Sequence, residues 1–506
     1  MPLARLTAAG VEGVDGFLVA VEVNRHEPAT GTGRTTVVGL PDAAVRESID
    51  RVTPAVFASG LSHHPGHHLV INLAPADRRK EGPAFDLAMA LGLAATEPDN
   101  HLVVPTDTLF LAELGLDGAL RPVRGAIAAT IAARDAGLAR VVVAPANAAE
   151  AAVVGLPVHA PATLGECARW LRTGLATAPT VAPAEPAALP LDAPDLSDVR
   201  GQEQAKRALL IAAAGGHNLL MIGPPGSGKT MLARRLSGLL PEPSLEEALE
   251  ITRIHSVSGL LPTGTGLLRT RPFRAPHHNV SAVGLVGGGP VPRPGEVSLA
   301  SGGILFLDEL PEFPRAILEQ LRQPLEDGHL TISRAGGRLR FPAKLALVAA
   351  MNPCPCGYLG HPTRRCTDSA DAVHRYRSRI SGPLLDRIDL HLEVPAQRPE
   401  ALAMGGDGET TAQARVRVVA ARERMLARQG MSNARLDARR LRTHLHAAPE
   451  ALSLLHQAVD ELGLSARAYD RISKVARTIA DLDGRAGVNV DDISEAIGYR
   501  VLDRPQ

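Results

Sequence analysis

Short apolar runs broken by glycine, proline or polar residues recur along this chain of 506 residues. Residues 19–23 and 35–39 have the β-branched content of strands, and so do residues 68–73 and 140–144. Between them, residues 43–52, 85–93 and 125–136 carry apolar positions at helical spacing. The first of these helices is predicted to stop before Pro54, because a residue preceding proline avoids the α region. Strands and helices together predict an α+β or α/β unit over residues 1–172. Residues 173–194 are rich in alanine and proline and hold no aromatic residue. Repeated prolines exclude helix and predict an extended, semi-rigid linker.

Beyond the linker the pattern changes. Residues 205–214 read as a helix, and residues 218–222 (Asn-Leu-Leu-Met-Ile) as a buried strand. Two more buried strands follow at residues 304–307 and 345–350, each ending in polar residues. Residues 322–344 read as a hairpin with a basic tip or flank, carrying Arg322, Arg334, Arg338, Arg340 and Lys344 around Gly336-Gly337. The tail is helical: Leu452, Leu455, Val459 and Leu462 share one helix face, and residues 465–482 continue the pattern. These shifts divide the second part into an α/β core over residues 195–400 and a helical domain over residues 401–506.

Composition narrows the reading. Lys and Arg number 54 and Asp and Glu also 54, so no global field draws the protein to nucleic acid, and any such contact needs a local patch. No uninterrupted apolar run reaches the roughly 18 residues of a membrane span. A cytoplasmic protein with no membrane partner is expected.

The strand at 218–222 leads into Gly223-Pro224-Pro225-Gly226-Ser227-Gly228-Lys229-Thr230, a complete phosphate loop. Its glycines let successive backbone N–H groups face the phosphates of ATP. Lys229 reaches the β- and γ-phosphates, Thr230 is suited to bind Mg²⁺, and the following helix adds its N-terminus. The strand at 304–307 delivers a second motif, Asp308-Glu309. Asp308 is suited to hold Mg²⁺ and Glu309 to activate the attacking water. Asn352 ends the third strand, where an amide beside the γ-phosphate orients that water.

Several longer strings resemble the ComM/YifB family of Mg-chelatase-like AAA+ ATPases. They include Val38-Gly-Leu-Pro-Asp-Ala-Ala-Val-Arg-Glu-Ser48, residues 72–86, Gly215-Gly-His-Asn-Leu-Leu, Phe273-Arg-Ala-Pro-His-His278 and residues 293–300. The resemblance implies a Lon-protease-like α+β N-terminal domain, an AAA+ αβα motor core and a C-terminal helical lid. It aligns Ala84 with the nucleophile of the Lon Ser–Lys dyad, and Arg124 or Gly125 with its lysine, so acyl transfer has no nucleophile. It makes Asn352 the first sensor, Arg387 an arginine finger acting on a neighbouring subunit, and Arg467 the second sensor arginine. It implies a homo-hexameric ring and a DNA branch-migration helicase in recombination or natural transformation, acting on branched or single-stranded DNA. The competing readings are a chelatase motor subunit that drives metal insertion and an AAA+ protein remodeller.

Three of the four cysteines, Cys354, Cys356 and Cys366, fall in an insert over residues 353–369. Members of the family commonly carry a fourth cysteine where this chain has Asp368. A structural zinc site needs four ligands. Asp368 or His361 completes the set in one reading, and three reduced thiols in a Pro/Gly loop are the other.

Overall fold

A computed structural model describes residues 3–26, 34–63, 66–173, 175–182, 194–289, 291–334, 337–396, 408–500 and 502. The chain forms two compact units, one of residues 1–188 with 245–269, the other of residues 189–244 with 270–506.

The first unit is built on a seven-stranded mixed sheet. Its strands are β1 (Leu3–Glu12), β2 (Asp15–His26), β3 (Thr35–Val38), β4 (His68–Ala74), β5 (Thr108–Leu111), β6 (Arg140–Val143) and β7 (Val158–His159), in the order β3-β4-β2-β1-β5-β6-β7. β1 and β2 form a hairpin in register from Leu3↔Asn24 to Glu12↔Asp15. In β2, Phe17, Val19, Val21 and Val23 are buried at every second position, the period of a strand with one face on the core. The sequence pattern caught only the middle of β2 and missed β1.

Helix α1 (Ala43–Ala58) starts on Asp42, whose carboxylate accepts from the Val45 N–H at 2.7 Å. It does not stop before Pro54 but runs through it. Pro54 and Asp50, the residue whose carbonyl loses its partner, are both exposed, so that carbonyl faces solvent. Val52, Ala55 and Val56 are buried and hold the second half of the helix on the core. Helix α2 (Asp86–Ala95) is buried along nearly its whole length. Helix α3 (Ala126–Asp135) begins after Gly125, at φ +75°.

A segment distant in sequence completes this unit. The helix Leu245–Ser258 packs on α3. Its Ser256 hydroxyl donates to the buried Glu150 carboxylate at 2.5 Å and accepts from the Gly125 N–H at 3.1 Å, and Arg253 pairs with Asp15 at 2.6 Å. A Cβ on Gly125 would lie 2.7 Å from Val11 and 3.3 Å from Val257. Of the positions that the resemblance aligns with a protease dyad, Ala84 holds a methyl group, and of the two offered for the lysine Arg124 carries a guanidinium while Gly125 has no room for a side chain.

The second unit is organised on a five-stranded, all-parallel sheet. The strands β8 (Leu219–Ile222), β9 (Phe273–Arg274), β10 (Ile304–Leu307), β11 (Ala346–Met351) and β12 (Leu390–Glu393) lie in the order β9-β10-β11-β8-β12. β8 and β10 are buried on both faces, which explains their unbroken apolar runs. The α/β class expected of this part is present. Helices α4 (Glu203–Gly215) and α5 (Lys229–Leu239) share one apolar core with the C-terminal helices α6 (Thr411–Gln429), α7 (Pro449–Leu462), α8 (Ala466–Leu482) and α9 (Val490–Gly498). Leu209, Leu219, Leu236, Val418, Ile472 and Ile479 are among its members.

One buried charge ties the C-terminal helices to the sheet. Asp389, just before β12, accepts from Arg471 of α8 at 2.9 Å and from the Asn218 N–H at 3.0 Å, with the His217 ring at 3.4 Å. Burial pushes the Asp389 carboxyl upward, but Arg471 and His217 outweigh it and hold the group well below the usual carboxylate range. Asp389→Asn should therefore destabilise this unit by about 3 kcal/mol or more at pH 7, because Arg471 is left without its counter-charge. The folded-state pKa lies below the unfolded value of about 3.9, so the carboxylate's contribution is fully present above that pH and fades as pH falls through and below it. Thermal unfolding of both proteins from pH 7 down to pH 3 should show the gap narrowing towards the acid end. A constant gap would assign the loss to shape rather than charge.

Candidate active site at the carboxyl edge of the parallel sheet

β8, β10 and β11 run parallel, so the residues that follow them emerge on one edge. After β8 the chain turns through Gly223 to Gly228 into α5. Gly226 and Gly228 have φ of +76° and +91°, which β-carbons rarely tolerate. A Cβ on Gly223 would sit 2.2 Å from the Val394 carbonyl oxygen. The Lys229 ammonium folds back over the loop and donates to the carbonyls of Gly223 at 2.7 Å and Pro224 at 3.0 Å, and to Asn352 Oδ1 at 3.3 Å. Burial lowers its pKa, and the nearby Asp308 and Glu309 oppose that shift. Thr230 Oγ1 donates to Asp308 Oδ2 at 2.7 Å. Lys229 thus meets Asn352 and the adjacent Thr230 meets Asp308, which brings together residues read from three separate stretches. Ser227 Oγ is buried and, among the described residues, has no hydrogen-bond partner. A loop whose lysine is satisfied only by its own carbonyls and an amide, beside an unpaired buried hydroxyl, fits a phosphate chain.

Glu309 follows Asp308 at φ +53°, and its N–H donates to Asp308 Oδ1 at 3.0 Å. Its carboxylate faces His278 Nδ1 at 3.4 Å.

Arg387 and Arg467 do not join this cluster. Arg387 precedes β12, and its carbonyl accepts from the Asn218 side chain at the start of β8. The loop leaves the other end of β8, roughly 16 Å away at 3.3 Å per residue. The Arg387 side chain is only 8% exposed. It pairs with Glu326 and donates to the carbonyls of Arg322 at 3.1 Å and Pro383 at 2.7 Å. Arg467 is 59% exposed and lies 3.7 Å from Asp386.

The hairpin at 322–344 is shorter than expected. Its strands are His329–Arg334 and Gly337–Pro342, and residues 335–336 lie outside the described residues. Arg322 belongs instead to the helix Arg322–Asp327 and pairs with Glu319 at 2.8 Å. Arg338 and Arg340 are exposed and stand opposite Ser333 and Thr331 on one face, while Leu330 and Phe341 are buried on the other.

The insert gathers its thiols. Cys354 Sγ lies 3.4 Å from Cys356 Sγ and 3.6 Å from Cys366 Sγ, and Cys356 and Cys366 are 3.6 Å apart. Asp368 Oδ2 is 3.8 Å from Cys366 Sγ, and all four ligand atoms lie within 4.8 Å of one another. A tetrahedron with Zn–S bonds of about 2.3 Å has edges of about 3.8 Å, so the donor set fits such an ion. Burial and then the Asp368 contact push the Cys354 thiol up to about 12. His361 stands outside the group, because its Nδ1 accepts from the Thr363 and Arg364 N–H groups at 3.2 and 3.0 Å. The insert also touches the phosphate loop: a Cβ on Gly357 would lie 2.7 Å from Pro225 Cδ.

Some of these residues were not singled out in the sequence. Gln202, at φ +54°, donates from Nε2 to the Ser227 carbonyl at 3.0 Å. Glu326 holds Arg387. His278 lies in a string that marked the resemblance without a role.

The comparisons agree with this geometry. The family described as magnesium chelatase, subunit ChlI matches residues 195–402, a second described as subunit ChlI of Mg-chelatase matches residues 21–147, and the subunit ChlI C-terminal family matches residues 408–500. The competence protein ComM of Haemophilus influenzae is 43% identical over all of this chain and 98% of its own length. YifB of Salmonella typhimurium is also 43% identical, over the same shares. The chain belongs to the ComM/YifB family of Mg-chelatase-like AAA+ ATPases. The 38 kDa magnesium-chelatase subunit of Rhodobacter capsulatus aligns with only 31% of the chain and 49% of its own length, at 31% identity. Membership in the ComM/YifB family points to ATP, Mg²⁺ and self-association. Among the described residues, no helix is long and apolar enough to cross a membrane.

Proposed function

We propose that the protein is a cytoplasmic, ring-forming ATPase that couples hydrolysis to movement on branched or single-stranded DNA, as a ComM-like branch-migration helicase. The convergence of Lys229, Thr230, Asp308 and Asn352 on one sheet edge carries this reading. Lys229 and the loop's N–H groups hold the phosphates, Glu309 takes the proton of the attacking water, and Asn352 orients that water. Thr230 and Asp308 are placed to hold Mg²⁺, which would supply positive charge between the phosphates. Arg387 lies at the opposite end of β8 from the loop, so a role in hydrolysis requires a neighbouring subunit's nucleotide. A closed ring, hexameric in this reading, supplies that neighbour. Arg467, exposed beside Asp386, is assigned to the same interface, on α8 of a C-terminal lid.

Two observations favour DNA over a chelatase partner. The 43% identity to ComM spans the whole chain, whereas the match to the 38 kDa magnesium-chelatase subunit of Rhodobacter capsulatus aligns with 31% of it. Arg338 and Arg340 form an exposed basic face on a hairpin, repeated in every subunit, which suits phosphates and requires no base reading. In domain terms, residues 1–172 are a Lon-like platform without a dyad, and residues 173–194 a linker. Residues 195–400 form the motor with its insert at 353–369, and residues 401–506 the lid. We assign zinc to Cys354, Cys356, Cys366 and Asp368.

Four measurements address these assignments. Glu309→Gln should keep ATP affinity and lose turnover by about 100-fold or more. Arg387→Ala should bind ATP and hydrolyse it poorly, and mixing it with Lys229→Ala subunits should restore part of the rate. Co-assembled mixtures without rescue would remove the trans role. Replacing Arg338 and Arg340 together by Ala should weaken DNA binding about tenfold and lower its salt slope by about two, with basal ATPase retained. ATPase that responds to no single-stranded, duplex or forked DNA at low salt would turn the reading towards chelation or remodelling. Finally, purified protein should hold roughly one zinc per chain by elemental analysis, and Cys356→Ser should lose it. Metal-free protein with unchanged folding would leave three reduced thiols.

A further inference from the structure

We propose that the exposed arginines of the helix Ala438–His444 form a second contact with DNA, taking the phosphate backbone of a duplex arm. The inference rests on the DNA reading above and says where a further part of the substrate sits. Lys and Arg balance Asp and Glu over the whole chain, yet residues 430–448 hold four arginines and one acid, Asp437. Arg435, Arg439, Arg440 and Arg442 are all exposed. Arg440 stands 3.8 Å from Asp437, and among the described residues no carboxylate forms an ion pair with the other three.

Folding does not require these charges. Leu436, Leu441 and Leu445 are buried and hold the segment on the core. The Asp437 carboxylate caps the helix by accepting from the Arg440 N–H at 2.8 Å. Arg439 and Arg442 lie one turn apart, a like-charge spacing that weakens a helix.

The surroundings extend the patch. Arg435, Asp437 and Ala438 share the wall of a cavity of about 630 Å³ with Gly328, Ala343 and Lys344. The last three form the root of the basic hairpin, where the Ala343 N–H donates to the Gly328 carbonyl at 2.9 Å. The hairpin strands run about 20 Å beyond that root, at about 3.3 Å per residue. Arg338, Arg340 and the helix arginines therefore fall within about one turn of a duplex, roughly 34 Å. At the far end of the helix, His446 shares a cavity of about 580 Å³ with Arg424 and Arg485. Arg424 is exposed and donates to the Asp481 carbonyl at 2.7 Å. Residues 430–448 contain no Phe, Tyr or Trp, so no platform stacks unpaired bases. Guanidinium groups without such a platform suit a backbone whose bases are already stacked inside a duplex.

The test is fluorescence anisotropy of the full chain, with Mg²⁺ and a non-hydrolysable ATP analogue. The probes are a labelled duplex and one of its strands, over a range of salt. Arg439→Gln, Arg440→Gln and Arg442→Gln together should weaken duplex binding about tenfold at ~0.1 M salt and lower the salt slope by about two to three. Single-strand binding, left to the hairpin, should change less than about threefold. Lys at the same three positions should keep duplex affinity within about threefold, because either cation neutralises a phosphate. Basal ATPase and ring size should stay as in wild type. Wild-type duplex affinity in the Gln variant overturns the proposal. So does an equal loss on the single strand, or a Lys variant as weak as the Gln variant. A Gln variant that no longer assembles makes the patch a subunit contact and overturns it too. The underlying DNA reading fails separately: wild-type protein that binds neither probe takes the patch with it. Wild-type protein that binds both probes, with an unaffected Gln variant, sinks this proposal alone.

Discussion

Asn218 is the point on which the second unit turns. Its side-chain amide donates to the Arg387 carbonyl at 2.8 Å, and its Oδ1 accepts from the Leu347 N–H at 2.8 Å. Its own N–H meets Asp389, and its carbonyl accepts from the N–H groups of Asp389 and Leu390. One buried amide thus fixes the relative register of β8, β11 and β12 at their amino ends. A register slip would leave these polar groups buried and unpaired, at about 1–3 kcal/mol each. Because the strands are parallel and short, register at the amino edge determines what meets at the carboxyl edge. Asn352 reaches Lys229 because β11 and β8 end level, Met351 opposite Ile222.

The same sheet separates two kinds of chemistry. Its carboxyl edge holds a phosphate loop, two carboxylates and an amide. Its amino edge holds Arg387, Asp389 and the contacts of Arg471, so it belongs to the C-terminal helices. Arg387 is gripped by Glu326 and two backbone carbonyls, and a buried arginine without such partners would be costly. If Arg387 serves a neighbouring subunit, assembly has to exchange these partners for phosphate oxygens. Glu326 then competes with the neighbour's nucleotide for the same guanidinium, and the exchange links ring closure to hydrolysis.

What the sequence made legible was local. The phosphate loop and Asp308-Glu309 each follow an unbroken apolar run, and short-range spacing suffices to read them. The continuation of α1 through Pro54 was not legible, because buried Val52, Ala55 and Val56 outweigh one lost hydrogen bond on an exposed face. Nor was the placement of residues 245–269 with the first unit. Its anchor is a contact between Ser256 and Glu150, and no periodicity reports a partner about a hundred positions away. Arg322 was grouped with a hairpin by charge alone, and it sits on a helix because Gly328, at φ +67°, ends that helix before the strand starts. The approach of His278 to Glu309 was not legible either, because it joins two loops that meet only once β9 and β10 are paired.

The insert shows how a departure from a family pattern can leave the physics in place. With every ligand deprotonated, three thiolates and one carboxylate carry four negative charges, as four thiolates would, so a divalent ion leaves the same net charge in either case. The substitution at Asp368 trades a soft donor for a hard one, and zinc accepts both. The position of the cluster makes its charge matter. Gly357 packs on Pro225 of the phosphate loop, and Asn352, two residues before Cys354, meets Lys229. Uncompensated thiolates there would oppose an incoming polyphosphate, whereas protonated thiols would leave the insert without a cross-link beside the loop it supports. A divalent ion held by these four residues would remove both difficulties, neutralising part of the charge and fixing the wall against which Pro225 rests.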